Sequence, residues 1–339
     1  MMAWSWSTDE LTRLGQALCD MNVCGPAVTA RAVGDGHSNL TYLVSDGRRQ
    51  VIVRRPPAPP VPPGAHDVVR EARLVAALAE TAVPVPRVFA IFAAGDMLDV
   101  PLVVTEYVDA TVITDRTPPP LDTPAARREI ALSAVDTLAA LHGVDWQARG
   151  LADFGRPTGF NARHLNRVCR LVADPQGELP IPFRSVAERL RRRTPAESGV
   201  GIVHNDFRLG NLMAAKGPPG RVVAVLDWEL ATIGDPLFDL GYFLSTYPQH
   251  GEPLTPITAM GTAVLEDGYP RRDELVLRYF QRTGASPANV DWYSALAQFK
   301  LAALYEYGRR RAESSGGDRY FADPDMVSSF LQTADLMAG

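Results

Sequence analysis

The sequence predicts an α+β chain in two lobes: an N-terminal antiparallel sheet with a helix, then a larger, mainly helical C-terminal lobe. Three observations predict it. Between about Val28 and Tyr107 the chain runs in short β-rich segments broken by Gly, Asp and Pro. Beyond Asp109 apolar residues recur at helical spacing, with Thr117-Pro118-Pro119-Pro120 marking the transition. Within the helical part, two brief apolar strands, Gly201–Val203 and Val222–Leu226, end in polar loops. The expected division is residues 1–108 and 109–339.

Composition limits the functions available. The chain has 339 residues, 46% of them hydrophobic and 22% charged, ordinary values for a globular protein with a large core. A net charge of −5 gives no overall attraction to nucleic acid or anionic membranes, so an anion site must be made locally. The opening MMAWSWSTDELTRL lacks a basic segment followed by an apolar run, and no stretch reaches the roughly 18 apolar residues of a membrane span, so a cytoplasmic protein is expected. Cys19, Cys24 and Cys169 lack disulfide or zinc spacing. Of 34 basic residues only Lys216 and Lys300 are lysine, which excludes any mechanism that requires a lysine near the N-terminus.

In order, Ser7 to Cys19 reads as an amphipathic helix with Ser7 as N-cap, Glu10 in the capping-box position and Leu11, Leu14 and Leu18 on one stripe. Strands follow at about Val28–Val33, Leu40–Ser45 and Gln50–Arg55, the last two joined by Asp46-Gly47, a hairpin dipeptide. Between the first two lies Gly34-Asp35-Gly36-His37-Ser38-Asn39. Gly34 and Gly36 permit close backbone approach, and the amides with Ser38 and Asn39 suit nucleotide phosphates; a plain turn is the other reading. Pro56 to Gly64 is a stiff extended connector. His66 to Glu80 is a helix carrying Arg70, Glu71 and Arg73, and Val83–Phe92 and Leu102–Tyr107 complete a sheet of about five strands with one helix against it.

The second part holds helices near Ala125–Leu141, Asn161–Ala173 and Phe183–Arg193, then Arg272–Arg282, Asp291–Arg311 and Pro324–Met337. Arg163, Arg167 and Arg170 share one helical face, either a solvated surface or the receiver of an anionic substrate group.

The chemistry concentrates between Ile202 and Asp239. Gly201–Val203 delivers His204-Asn205-Asp206 into a loop, Asn211 follows five residues after Asp206, and Val222–Leu226 ends in Asp227. The KGPPG turn is expected to pair the two strands and bring Asp206, Asn211 and Asp227 to one end of a small sheet. Phosphoryl transfer needs a carboxylate to orient the attacking hydroxyl and oxygen ligands to hold magnesium against the phosphates. Asp206 suits the first task, Asn211 and Asp227 the second. Singly, each has a duller role as a turn or helix cap; together, H-x-D-x4-N followed by an aspartate at the end of an apolar strand is specific. His204 is expected to brace the loop, and with Arg208 completes the candidate catalytic set. Glu229 either meets a second metal or faces solvent.

These residues resemble the signature of the aminoglycoside phosphotransferase and choline kinase branch of the protein-kinase-like fold. The resemblance covers nearly the whole chain, through GHSNLTYLV, VIVRRPP, AHDVVREARLVAAL, VPVPRVF and VLDWELATIGDPLFDLGY in order. It is similar in particular to the kinase-like domains fused to some acyl-CoA dehydrogenases and to their free-standing bacterial relatives. The resemblance implies ATP and Mg as cofactors and a small-molecule hydroxyl as acceptor. It also implies that Gly34–Asn39 is the nucleotide loop and that Thr105–Val108, with Glu106, Tyr107 and Val108, is a hinge holding adenine by its backbone. Glu71 becomes the helix carboxylate facing the sheet, and Asp239 the brace of the catalytic loop.

Two departures bear on function. Where the family pattern has a phosphate-binding lysine stands Arg54; strand alternation sets it on a face with Ile52, and Arg55 is the spare. Arginine keeps the charge with a longer, planar head, which fits either an adjusted kinase or a nucleotide-binding pseudokinase with little catalysis. Asp227-Trp228-Glu229 replaces the Asp-Phe-Gly of protein kinases, which favours a small-molecule kinase. Residues 109–200 carry 13 Arg against 11 Asp plus Glu, a balance that favours a neutral or anionic acceptor over a polycationic one. The resemblance suggests a hydroxyacyl-CoA, with aminoglycoside or macrolide antibiotics as the alternative.

Overall fold

The computed structural model describes residues 6–33, 39–57, 67–315, 321 and 323–338. Backbone proximity divides the chain into two compact units, Met1–Asp109 with Asp227–Glu229, and Ala110–Leu226 with Leu230–Gly339. The segment Asp227–Glu229 thus joins the first unit, where the Trp228 amide donates to Glu71 Oε1 at 3.3 Å. No helix among the described residues is long and apolar enough to cross a membrane.

In the first unit, α1 (Thr8–Asp20) begins with the expected capping box: Ser7 Oγ accepts from the Glu10 amide at 3.2 Å, and Glu10 Oε2 accepts from the Ser7 amide at 2.7 Å. Five strands follow, β1 (Thr29–Ala32), β2 (Leu40–Ser45), β3 (Gln50–Arg55), then, after α2 (Val68–Leu78), β4 (Val88–Phe92) and β5 (Leu102–Glu106). They form one antiparallel sheet in the order β1-β2-β3-β5-β4. The β2–β3 hairpin turns at Gly47, whose φ of 88° explains the glycine. Pro84 and Pro86 lack the amides a ladder needs, so the strand expected from Val83 starts only at Val88.

The sheet is covered on both faces, where the sequence suggested one. Leu14 and Leu18 of α1 pack with Tyr42, Val44, Val51, Val53, Leu102 and Val104 on one side. On the other, Val68 and Ala72 of α2 pack with Val103. Burying side chains of this size contributes about 1.5–3 kcal/mol each. Alternation puts Arg54 on the α2 face and the buried Arg55 on the α1 face, where Tyr42 and Glu10 interact with it and burial lowers its pKa. Arg55 is therefore a core residue, not a spare.

The second unit opens with β6 (Thr111–Val112), then α3 (Pro124–His142), α4 (Phe160–Val172) and α5 (Ile181–Arg192). Next come β7 (Gly201–Val203), β8 (Leu212–Ala214), β9 (Val222–Val225) and β10 (Thr232–Gly234). Helices α6 (Leu237–Ser245), α7 (Pro256–Ala259), α8 (Arg272–Thr283), α9 (Val290–Ser315) and α10 (Pro324–Ala338) complete it. Here one expectation is overturned: β7 does not pair with β9. The KGPPG turn joins β8 to β9, β6 extends that sheet, and β7 pairs with β10 in a separate ribbon. The turn closes on the residues directly before it, Leu212–Ala214, which are too few to show a strand pattern.

Helix α6 is buried at every position from Leu237 to Ser245, and it lies against α9, which α4 and α10 also contact. Gly241 makes the approach possible: a Cβ there would fall 2.6 Å from the Tyr293 carbonyl carbon and 2.7 Å from the Ser294 nitrogen. Asp136 ties α3 to α8 by accepting from Arg278 and Arg282, each at 2.7–2.8 Å.

Candidate active site

Strand β7 ends at Val203, and the next three residues form a loop whose backbone is fixed from below. Asp239, in the first turn of α6, is fully buried and accepts from the His204 amide at 2.5 Å through Oδ2 and from the Asn205 amide at 2.8 Å through Oδ1. The same Oδ2 faces His142 Nε2 at 3.5 Å, and His142 Nδ1 meets Tyr279 Oη at 2.7 Å. Asn205 adopts φ 68°, the left-handed region that a non-glycine residue enters at a cost. Its side chain anchors it by donating to the Leu230 carbonyl at 2.8 Å.

Both His204 ring nitrogens are engaged. Nδ1 accepts from the Asp206 amide at 3.2 Å, which leaves the proton on Nε2 for the Leu226 carbonyl at 2.9 Å. Burial lowers the His204 pKa, against the opposing pull of Asp239 and Asp206, so the neutral ring that this pattern needs is favoured.

Asp206 is gripped at both carboxylate oxygens. Oδ1 accepts from Tyr242 Oη at 2.5 Å, and Oδ2 accepts from Asn211 Nδ2 at 2.7 Å. Asn211 Nδ2 also donates to the Asp206 carbonyl at 2.9 Å, so the side chain folds back over the loop. With Nδ2 so directed, the oxygen of Asn211 is left as a hard donor of the kind magnesium takes. The Asn211 carbonyl accepts from the Leu226 amide at 2.9 Å, which sets the backbone just before Asp227. Arg208 approaches Asp206 Oδ1 to 3.8 Å through Nε, an ion pair without a hydrogen bond. Its guanidinium lies against Gly210, where a Cβ would otherwise stand.

Two further residues complete the surroundings, and neither is among those singled out in the sequence. Tyr242 is buried, and its hydroxyl pKa is raised well above the ordinary value by burial and by Asp206. Lys300 of α9 is buried too, and its ammonium donates to the Asn205 carbonyl. Tyr242 stands three residues after Asp239, one helical turn on, so both face the loop. Lys300, with Gln298, breaks the otherwise apolar run Ala295–Leu304, the one trace it leaves in the sequence.

In the first unit, Arg54 pairs with the buried Glu71, whose Oε1 also takes the Trp228 amide. Asp227 has φ 65° and, like Glu229, is half-buried. Asn39 is buried at the start of β2; Gly34, Gly36 and Ser38 lie outside the described residues. Glu106 ends β5 and accepts from the Arg87 amide at 3.2 Å, with Tyr107 exposed and Val108 half-buried after it. On α4, Arg163 donates to the Arg156 carbonyl at 2.7 Å, whereas Arg167 and Arg170 are exposed. Among the described residues no group of three or more His, Cys, Asp or Glu is placed to hold a metal ion.

The geometry can be set beside known proteins. Acyl-CoA dehydrogenase family member 11 of Rattus norvegicus is 28% identical over 314 residues, 90% of this chain and 40% of that protein. The chain thus spans about two fifths of the length of that relative. A solved structure from Ralstonia eutropha JMP134, provisionally named an aminoglycoside phosphotransferase, is 27% identical, with a TM-score of 0.80 and coverage of 98% of this chain and 99% of that one. Aminoglycoside phosphotransferase APH(4)-Ia, solved as a thermostable mutant with AMP-PNP and hygromycin B, shares the fold at 14% identity and a TM-score of 0.60, covering 96% of this chain and 98% of its own. Residues 29–275 match the APH family, the phosphotransferase enzyme family. The chain belongs to that family, and is with it a small-molecule kinase of two parts, an antiparallel sheet with helices and a mainly helical C-terminal region.

Proposed function

We propose that this chain transfers the γ-phosphoryl group of ATP, with Mg, to a hydroxyl of a small molecule. The observation that carries the reading is the Asp206 carboxylate, held between Tyr242 and Asn211 on a loop fixed by Asp239. A carboxylate oriented this way aligns an attacking hydroxyl and accepts its proton. Arg208, charged beside it and partly exposed, suits the oxygens of the transferred group. His204, with both nitrogens engaged, holds the loop and leaves proton transfer to Asp206. Magnesium would neutralise phosphate charge, held by the oxygens of Asn211 and Asp227, with Glu229 the candidate for a second ion.

Arg54 takes the lysine's place at the nucleotide phosphates, with Gly34, Gly36, Ser38 and Asn39 as the covering loop and Glu106 to Val108 at the adenine. Its ion pair with Glu71 supports a working kinase over a pseudokinase, because the pairing that positions the usual lysine is kept. The nucleotide analogue bound by APH(4)-Ia supports ATP use. The acyl-CoA dehydrogenase relatives support a hydroxyacyl-CoA acceptor, with aminoglycosides and macrolides as the other candidates.

Magnesium-dependent ATP consumption against hydroxyacyl-CoA, aminoglycoside, macrolide and choline-type acceptors tests the reading. Asp206→Asn, which keeps the shape and removes the base, is expected to lower turnover by about 10²–10⁴-fold with an unchanged melting temperature. Turnover near that of the wild type would overturn the assignment.

A further inference from the structure

Lys300 is one of two lysines in the chain; the other, Lys216, is exposed. It lies on α9 with 6% of its surface accessible. Its ammonium sits over the Tyr242 ring, 4.7 Å from the centroid, and 5.5 Å from that of Phe238, while donating to the Asn205 carbonyl. Taking an ammonium out of water costs several kcal/mol, and a methionine of similar length would fill the same volume without that cost. The ammonium adds one thing an apolar side chain cannot: a hold on the peptide between Asn205 and Asp206.

That peptide is the joint on which Asp206 turns. Asn205 is in the left-handed region, its N–H is tied to Asp239, and its carbonyl is tied to Lys300. Tyr242, under the ammonium, donates to Asp206 Oδ1. Backbone and carboxylate are thus held by two side chains that touch each other. We propose that Lys300 and Tyr242 are positioning residues for phosphoryl transfer, Lys300 fixing the Asn205–Asp206 peptide and Tyr242 fixing the carboxylate it carries. This inference rests on the kinase reading of Asp206.

The charged and titratable groups facing Lys300 are Asp206 and His204 on the loop, Asp239 and Tyr242 on α6, and His164 and Arg167 on α4. Burial lowers the Lys300 pKa to about 8, with Asp206 and Asp239 opposing and Arg167 adding to the fall. The hold on the loop accordingly weakens on the alkaline side.

Two lysines make the test direct. In protein labelled with ¹³C at lysine Cε, two resonances are expected, one titrating near pH 8 and missing from Lys300→Met. Amide exchange in the segment Asn205–Phe207 is expected to quicken about tenfold in Lys300→Met, with the rest of the helical unit unchanged and Lys300→Arg restoring part of the protection. For MgATP hydrolysis with water as acceptor, Lys300→Met and Tyr242→Phe are expected to lower kcat by about 10–100-fold while the nucleotide KM stays put. The alkaline limb of the wild-type profile is expected to disappear in Lys300→Met. Unchanged loop exchange in Lys300→Met overturns the proposal whatever the activity, and so does a loss of kcat accompanied by faster exchange throughout. If Asp206→Asn keeps its turnover, the kinase reading fails instead, and exchange and titration still decide whether Lys300 holds the loop.

Discussion

Between about pH 7 and pH 9.5, Lys300 should gain stability for the fold, and the gain follows from its setting. A lysine whose folded pKa is about 8 and whose unfolded pKa is 10.5 releases its proton earlier in the folded state. Below the lower value both states are charged and the folded state carries the full desolvation cost. Above it the unfolded state binds more protons, so stability rises with pH until the upper value is passed. Over the stated interval the two pKa values give a rise of about 2 kcal/mol. Comparing wild type with Lys300→Met at both pH values isolates this term. The raised tyrosines Tyr247, Tyr279 and Tyr293 are present in both proteins and cancel, as does any pH-independent repacking. Urea unfolding followed by circular dichroism is sufficient. The difference in unfolding free energy should shift toward wild type by about 2 kcal/mol at the higher pH. A shift below roughly 0.5 kcal/mol would mean an ordinary lysine and refute the burial argument.

Two other perturbations probe the frame around the site. Gly241→Ala places a Cβ within 2.6–2.7 Å of the α9 backbone, so α6 and α9 must part; a loss of about 1–3 kcal/mol is expected, and unchanged thermal unfolding would show that the seam yields freely. Arg54→Lys restores the family residue opposite Glu71 and should keep nucleotide KM within about threefold, whereas Arg54→Gln should raise it about tenfold or more through loss of the charged contact; an unaltered KM in the glutamine variant would remove Arg54 from the nucleotide site.

The sheet was legible in the sequence because its signals are local. Asp46-Gly47 announces the β2–β3 hairpin, and Ser7 with Glu10 announces α1. The small strands β6, β8 and β10 were not legible, since two or three residues carry no periodicity and their partners are distant in sequence. For the same reason β7 and β9 were matched to each other instead of to β10 and β8. Helix α6 has no polar face from which to read it, because every residue is buried. In the candidate site, the geometry puts Asp206 and Asn211 in direct contact. Tyr242 and Lys300 lay beyond such reading: Tyr242 looks like a core residue and Lys300 like a stray charge in an apolar run, and only the packing of α6 on α9 brings them to the loop.

That packing links the position of the Asp206 carboxylate to a glycine that never touches it. Asp239 and Tyr242 are one turn apart on α6 and grip the loop at the Asn205 amide and the Asp206 carboxylate, while Lys300 grips the Asn205 carbonyl from α9. The three supports keep register only if the two helices hold their spacing, and Gly241, between Asp239 and Tyr242, sets how near they come. Widening the seam would draw Lys300 away from both Tyr242 and Asn205 while leaving Asp239 in place on its own helix. The loop would then stay anchored at its amides and lose the hold at its carbonyl, so Asp206 would turn about the Asn205 peptide without the fold being lost. A shift of about 1 Å at a reacting group costs up to about a hundredfold in rate. Gly241→Ala should therefore lower kcat by more than its loss of stability accounts for, with nucleotide KM unchanged, and a fall in kcat that only follows the unfolded fraction would break the connection.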